Sequence, residues 1–378
     1  MPNALRQLQA LGQSVWYDNI SRGALQGELA RLVADGEVQG VTSNPTIFEK
    51  AVGGGADYDA DIAALVRAGR NTEEVFWELA IADIAAGADL LRPVFDQTGG
   101  RDGYVSLEVS PELATDGPGT VAEAQRLFRR VGRPNVMIKI PATAPCLPAI
   151  EECTAQGMNI NITMMFSPSH YEGVAEAYVR GLERLVAARG NPAHVASVAS
   201  VFVSRVDTLV DASLDAMAAA PGADRARLEA MRGTAALANA RCIYGRFLEI
   251  FSDANPRWRA LADRGARVQR PLWASTSTKN PRYRDVLYVE GLIGPQTVDT
   301  MPPATIKAFR EHGIAARTVD ADLPGARRAL DALDGLGVGM EGVGATLQEQ
   351  GLSAFSDSFR QVLHEVEAKA RSLAAAGR

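Results

Sequence analysis

Lys139 stands inside an apolar run, Asn135-Val-Met-Ile-Lys-Ile-Pro141, where a charged side chain is costly unless the fold uses it. If the run is a strand, side chains alternate faces, so Val136, Ile138 and Ile140 point one way and Met137 and Lys139 the other. Burial on such a face disfavours the ammonium and lowers its pKa, and the neutral amine is a nucleophile. From an unperturbed value near 10.4, only about one lysine in 2,500 is neutral at pH 7. A shift to roughly 7 or 8 makes the neutral fraction substantial, which prepares a lysine for Schiff-base chemistry on a carbonyl. The alternative is an edge-strand lysine whose head reaches solvent or a carboxylate. Taken alone, the residue admits both readings.

The same alternation gathers further polar groups near the ends of other β-like runs. Asp18 ends a run and shares a face with Trp16, and Asn44 ends another just before Pro45. Glu108 lies near the end of Tyr104-Val-Ser-Leu-Glu-Val109, on the face of Ser106. Asn161 and Thr163 share one face, Ile160, Ile162 and Met164 the other, and Ser200 and Ser275 lie on two later runs. Each has a structural alternative: Asn44 as a turn residue, Asp18 as the cap of a helix starting near Ser21, Ser200 bonded to a neighbouring carbonyl. Buried polar groups need partners, so their recurrence at one end of seven strands outlines a wet, equipped pocket.

The elements that must position these groups are legible as eight candidate strands: Ser14 to Asp18, Gly40 to Asn44, Tyr104 to Val109, Asn135 to Ile140, Asn159 to Phe166, Ala196 to Val203, Pro271 to Thr276 and Thr297 to Met301. Amphipathic stretches alternate with them, among them Arg22 to Asp35, Thr72 to Leu91, Thr120 to Val131, Ser167 to Arg189, Asp207 to Ala218 and Ala223 to Asp253. Eight βα units in about 250 to 300 residues match an α/β fold of the (β/α)8 TIM-barrel type, whose active site lies at the carboxyl ends of the strands. No Pro-, Gly- or Ser-rich linker divides the chain, so residues 1–378 are expected to form a single domain, with 304–378 as a helical C-terminal extension carrying Ala326 to Leu333 and Ala354 to Leu373.

Composition bounds the function. The chain of 378 residues is 47% hydrophobic and 22% charged, as in soluble globular enzymes. A net charge of −6 without a long basic run argues against a nucleic-acid partner. No segment approaches about 20 uninterrupted apolar residues, so no membrane partner is expected, and Met1 to Gln13 lacks a signal-peptide core. Three cysteines, Cys146, Cys153 and Cys242, are without metal spacing and suit a reducing cytoplasm.

The chain resembles the transaldolase family, class I aldolase-type transferases of the pentose phosphate pathway, from about Val15 to Thr305. The resemblance rests on Val41-Thr-Ser-Asn-Pro-Thr-Ile-Phe48, Val136-Met-Ile-Lys-Ile-Pro-Ala-Thr143, Asn159-Ile-Asn-Ile-Thr-Met-Met-Phe166 and Pro271-Leu-Trp-Ala-Ser-Thr-Ser-Thr-Lys-Asn-Pro281, and is strongest to the longer bacterial type. It implies sugar-phosphate substrates, no cofactor and no metal. It implies that Lys139 forms the Schiff base, that Glu108 exchanges protons through a water held with Thr163, and that Asp18 takes the proton of the C4 hydroxyl. Asn44 and Asn161 would hold the dihydroxyacetone unit, and Phe202 stands at a family pocket position. For the phosphate the resemblance implies Arg205 with Ser200. In shorter members an arginine follows the serine of the seventh strand by two residues, whereas here Ser275-Thr-Ser-Thr-Lys279 offers a lysine at longer spacing. A homodimer is one assembly compatible with the resemblance.

Gly337-Val-Gly-Met-Glu-Gly342 matches a dinucleotide-loop pattern but follows a helical stretch, which predicts a helix-to-helix loop. Within the superfamily the rival is a fructose 6-phosphate aldolase-type lyase; those relatives carry glutamine and tyrosine where Glu108 and Phe202 stand. A non-catalytic sugar-phosphate binder on the same barrel is the rival from another class.

Overall fold

Short, fully buried runs rich in Val, Ile and Met cannot pair with one another through hairpins when helices separate them, so they pair in parallel under a helical layer. The computed structural model describes residues 3–376, and in it eight strands close in sequence order into one parallel barrel. They are β1 (Gln13–Tyr17), β2 (Gly40–Val41), β3 (Tyr104–Glu108), β4 (Val136–Pro141), β5 (Ile160–Met165), β6 (Ser197–Phe202), β7 (Gln269–Ala274) and β8 (Thr297–Met301). The (β/α)8 architecture with additional C-terminal helices is therefore present.

The expected strands sit within two residues of those observed except at the end of β2, three residues short, and β7 also ends two residues early. β2 stops at Val41, and β7 stops at Ala274. Beyond them Thr42 to Asn44 and Ser275 to Thr276 leave the ladder and present side chains at the barrel mouth; Ser275 does so at φ +56°, a left-handed backbone conformation uncommon for a serine. Two expected helices are split. Arg22–Gln26 and Glu28–Ala34 meet at Gly27, and Arg225–Met231 and Ala235–Ile250 are separated by a turn around Gly233 at φ +66°.

The barrel interior is filled by large side chains. Trp16 lies over Gly40, its register partner on the adjacent strand, where an added Cβ would fall 2.4 Å from the indole, so only glycine fits there. Register places Glu108 beside Lys139 and Lys139 beside Asn161, on one inward-facing level.

Three helices follow β8: Pro303–His312, Leu323–Asp334 and Met340–Ala376. The last begins well before the expected Ala354 and packs on helices Pro45–Gly53, Asp59–Arg67 and Thr72–Gln97 at the carboxyl-terminal end of the barrel. Gly337 to Gly339 lie in the loop before it, whereas Met340 to Gly342, expected in the same loop, already form the first turn of the helix. No helix among the described residues is long and apolar enough to cross a membrane.

Candidate active site

Lys139 projects inward from β4, and its Nζ donates to Glu108 Oε2 at 3.0 Å and to the Ser43 carbonyl at 3.1 Å. Both side chains of this pair are more than nine-tenths buried. The apolar surroundings suggested by Met137 alone are thus corrected. The neighbouring strands, invisible in the local run, supply a carboxylate and a carbonyl.

Glu108 is pushed above the ordinary carboxylate range by burial, against the opposing charge and hydrogen bond of Lys139. Asp18, immediately after β1, is also pushed up by burial; the Thr42 hydroxyl, donating at 2.6 Å, and the charges of Lys139 and Lys279 act in the other direction. Two carboxyl groups whose proton affinity is raised by burial therefore stand close to an amine. Such an arrangement suits general acid–base catalysis.

A cavity of ≈260 Å³ opens above Lys139, lined by Asp18, Asn44, Thr163, Ser200, Phe202, Arg205, Ser275 and Lys279 among others. Glu108 lies behind Lys139, against Asn44, Phe48 and Phe359. Asn44 caps the helix Pro45–Gly53, its Oδ1 accepting from the Ile47 N–H at 3.0 Å, so the structural alternative is realised. The cap fixes the side chain while leaving its amide nitrogen free of partners among the described residues. Asn161 is engaged on both sides, donating to Ser106 Oγ at 2.9 Å and accepting from Ser200 Oγ at 2.7 Å. Thr163 Oγ1 is buried without a partner among the described residues. Pro141 pairs with Thr163 in register, which sets the hydroxyl beside the end of β4.

At the outer rim stand Arg205 and Lys279. Arg205 lies 5.7 Å from the centre of the Phe202 ring, and burial pushes its guanidinium down. Lys279 Nζ donates to Ser277 Oγ at 2.7 Å and is pushed down by burial and by the charge of Arg205. The Ser275 and Ser204 hydroxyls meet at 3.0 Å beside them.

Two residues lining the cavity, Lys50 and Phe355, and one buried carboxyl outside it, Asp299, were not found by reading the sequence. Lys50, six residues after Asn44 on the helix that Asn44 caps, lines the same cavity. Arg205, Lys279 and Lys50 have no carboxylate ion-pair partner among the described residues, although the surface is laced with such pairs. Phe355, from the helix Met340–Ala376, lines the cavity with its ring 5.9 Å from Lys139 Nζ. That helix is tied down by Gln348, whose Nε2 donates to the carbonyls of Ala142 and Met164, and by the Thr46 and Ser358 hydroxyls 2.8 Å apart. Asp299 on β8 is fully buried and pushed up to about 8 by burial, with the Thr276 hydroxyl donating at 2.9 Å. It shares the register level of Val15 and Trp273, so it faces the helical layer. No group of three His, Cys, Asp or Glu residues among those described could hold a metal ion.

Residues 15–366 match the family model described as Transaldolase/Fructose-6-phosphate aldolase. The chain is 47% identical to the transaldolase of Thermobifida fusca over 97% of its length and 98% of that protein. It is 46% identical to the transaldolase of a Parafrankia species over 99% and 100% of the two chains, and 43% identical to transaldolase 2 of a Nostoc species over 98% of each. The match therefore spans nearly the entire chain in both the family model and the individual relatives, and the chain belongs to the transaldolase/fructose-6-phosphate aldolase family.

Proposed function

We propose that Lys139 is the imine-forming nucleophile through which this chain acts as a transaldolase. The observation that carries this reading is the buried Lys139–Glu108 pair opening onto a cavity rimmed by cations without carboxylate partners. An amine able to pass a proton to an adjacent carboxylate, next to a ready phosphate site, fits a ketose phosphate and little else of that size.

Lys139 Nζ attacks the C2 carbonyl and forms a carbinolamine, which loses water to give the protonated imine. Glu108 and a water held against Thr163 Oγ1 carry the protons of that dehydration. Asp18 takes the proton of the C4 hydroxyl, the C3–C4 bond breaks, the aldehyde leaves, and the electron pair of the bond moves into the cationic imine. Asn44, through its free amide nitrogen, and Asn161 retain the three-carbon unit until an acceptor aldehyde arrives and the steps reverse. Phe202 and Phe355 keep the bound unit from water, while Arg205 and Lys279, with Lys50, Ser200 and Ser275, hold the phosphate.

Donor and acceptor in this reading are sedoheptulose 7-phosphate or fructose 6-phosphate and glyceraldehyde 3-phosphate or erythrose 4-phosphate. The setting is the cytoplasm. Light scattering would read a homodimer, if one forms, directly. The test is incubation with fructose 6-phosphate, with and without erythrose 4-phosphate, followed by borohydride. A mass adduct on Lys139 and sedoheptulose 7-phosphate only with the acceptor are expected. Free dihydroxyacetone as the main product would favour the aldolase, and no adduct would remove both.

A further inference from the structure

A second cavity, larger than the one above Lys139, lies at the opposite end of the barrel. It measures ≈670 Å³ and is lined by the starts of strands, including Gln13, Ser14, Ser197 and Arg270, and by the loop Gly99 to Arg101. We propose that it is a second small-molecule site, for an oxyanion that also carries hydroxyl groups. The inference goes beyond the transaldolase reading and does not depend on it.

Three guanidinium groups line this cavity, those of Arg101, Arg267 and Arg270. The one carboxylate recorded with them is Asp102, paired with Arg270 at 3.1 Å and also bound by Ser14 Oγ and the Trp16 N–H. The lining is therefore net positive. Arg267 spends its nitrogens on the carbonyls of Gly99 and Gly100, which hold that loop at φ +60° and +74°. The wall is preformed, as small-ligand sites usually are.

The lining groups that a bound molecule can reach include the exposed Arg101 guanidinium and the Gln39 amide. The Gln39 amide has no side-chain partner among the described residues. An anion answers the arginine and a hydroxyl answers the glutamine, a combination found in phosphorylated or carboxylated polyols. The volume suits a molecule of that size.

Inorganic phosphate is the probe, titrated calorimetrically into the full chain. Wild-type protein should show two sites, and Arg205→Gln should remove the one at the catalytic mouth. In that background Arg101→Glu should weaken the remaining site at least tenfold, about 1.4 kcal/mol. Arg101 is 74% exposed, and its guanidinium's recorded partner is Asp102 at 3.8 Å, so the variant should fold. Gln39→Glu, a same-size change on the lining, should weaken the site as well, and Arg101→Glu alone should leave turnover unchanged. Loss of all phosphate binding in Arg205→Gln, or a remaining site indifferent to both lining variants, would overturn the proposal.

Discussion

At the amino-terminal end of the barrel Asp102 takes hydrogen bonds from Ser14, Trp16 and Arg270. At the other end, Asp18 takes one side-chain hydrogen bond, from Thr42, and Glu108 takes one, from Lys139. Asp102 and Glu108 are buried, and Asp18 is half-buried in the cavity wall. A buried carboxylate with several fixed donors is a structural fastening, costly to break. A buried carboxyl with a single donor retains spare lone pairs and a raised proton affinity, which is what catalysis requires. The number of partners, more than burial, separates the two ends.

The comparison breaks most visibly at Lys139. Lys139→Met should abolish turnover by at least about 10⁴-fold and remove the borohydride-trapped adduct, while the protein remains folded by circular dichroism. The stability loss should be modest, because Glu108 is already held toward its neutral form and takes up a proton. Gross unfolding would instead mark the lysine as structural.

Arg270→Met tests the opposite end. It leaves Asp102 buried with only the exposed Arg101, 3.8 Å away, as a cation partner, and should cost about 3 kcal/mol in urea unfolding, with kcat of the folded fraction little changed. A smaller stability loss than that of Lys139→Met would contradict the contrast drawn between the ends.

Thr42→Val sharpens the argument through pH. The hydroxyl favours the charged form of Asp18, so its removal raises a value that burial has already raised. The base is then protonated at higher pH, and the acid limb of kcat/KM moves upward, by up to about one pH unit. A downward shift would mean that Asp18 is not the base.

The smallest effect is expected at Phe355→Leu. Loosening the roof over Lys139 should raise KM about three- to tenfold and increase free dihydroxyacetone relative to transferred product, read by enzymatic assay. An unchanged ratio would remove Phe355 from the retention of the three-carbon unit.

Much of the site was legible because strand alternation is strict. Asp18, Glu108, Lys139 and Thr163 were all placed inward by period two, and all of them face the barrel interior at its carboxyl-terminal end. Asn44 was legible both ways, and it is at once a helix cap and a lining residue. Asn161 faces inward too, yet its amide is occupied by Ser106 and Ser200, which no single strand could reveal. The partners of Lys139 were hidden from its own strand for the same reason: Glu108 and the Ser43 carbonyl come from other segments. Asp299 falls on the outward parity of β8, so strand alternation does not mark it as an interior group.

By itself the sequence determined the eight-fold alternation, the parity of each strand and the identity of the groups at the strand ends, because these follow from the two-residue repeat of an extended chain. Tertiary structure alone decided what those groups meet. Closure of the barrel set Glu108 against Lys139, and packing of the helix Met340–Ala376 brought Phe355 over the lysine. Contacts between segments far apart in the chain depend on how whole elements pack, which local periodicity does not encode.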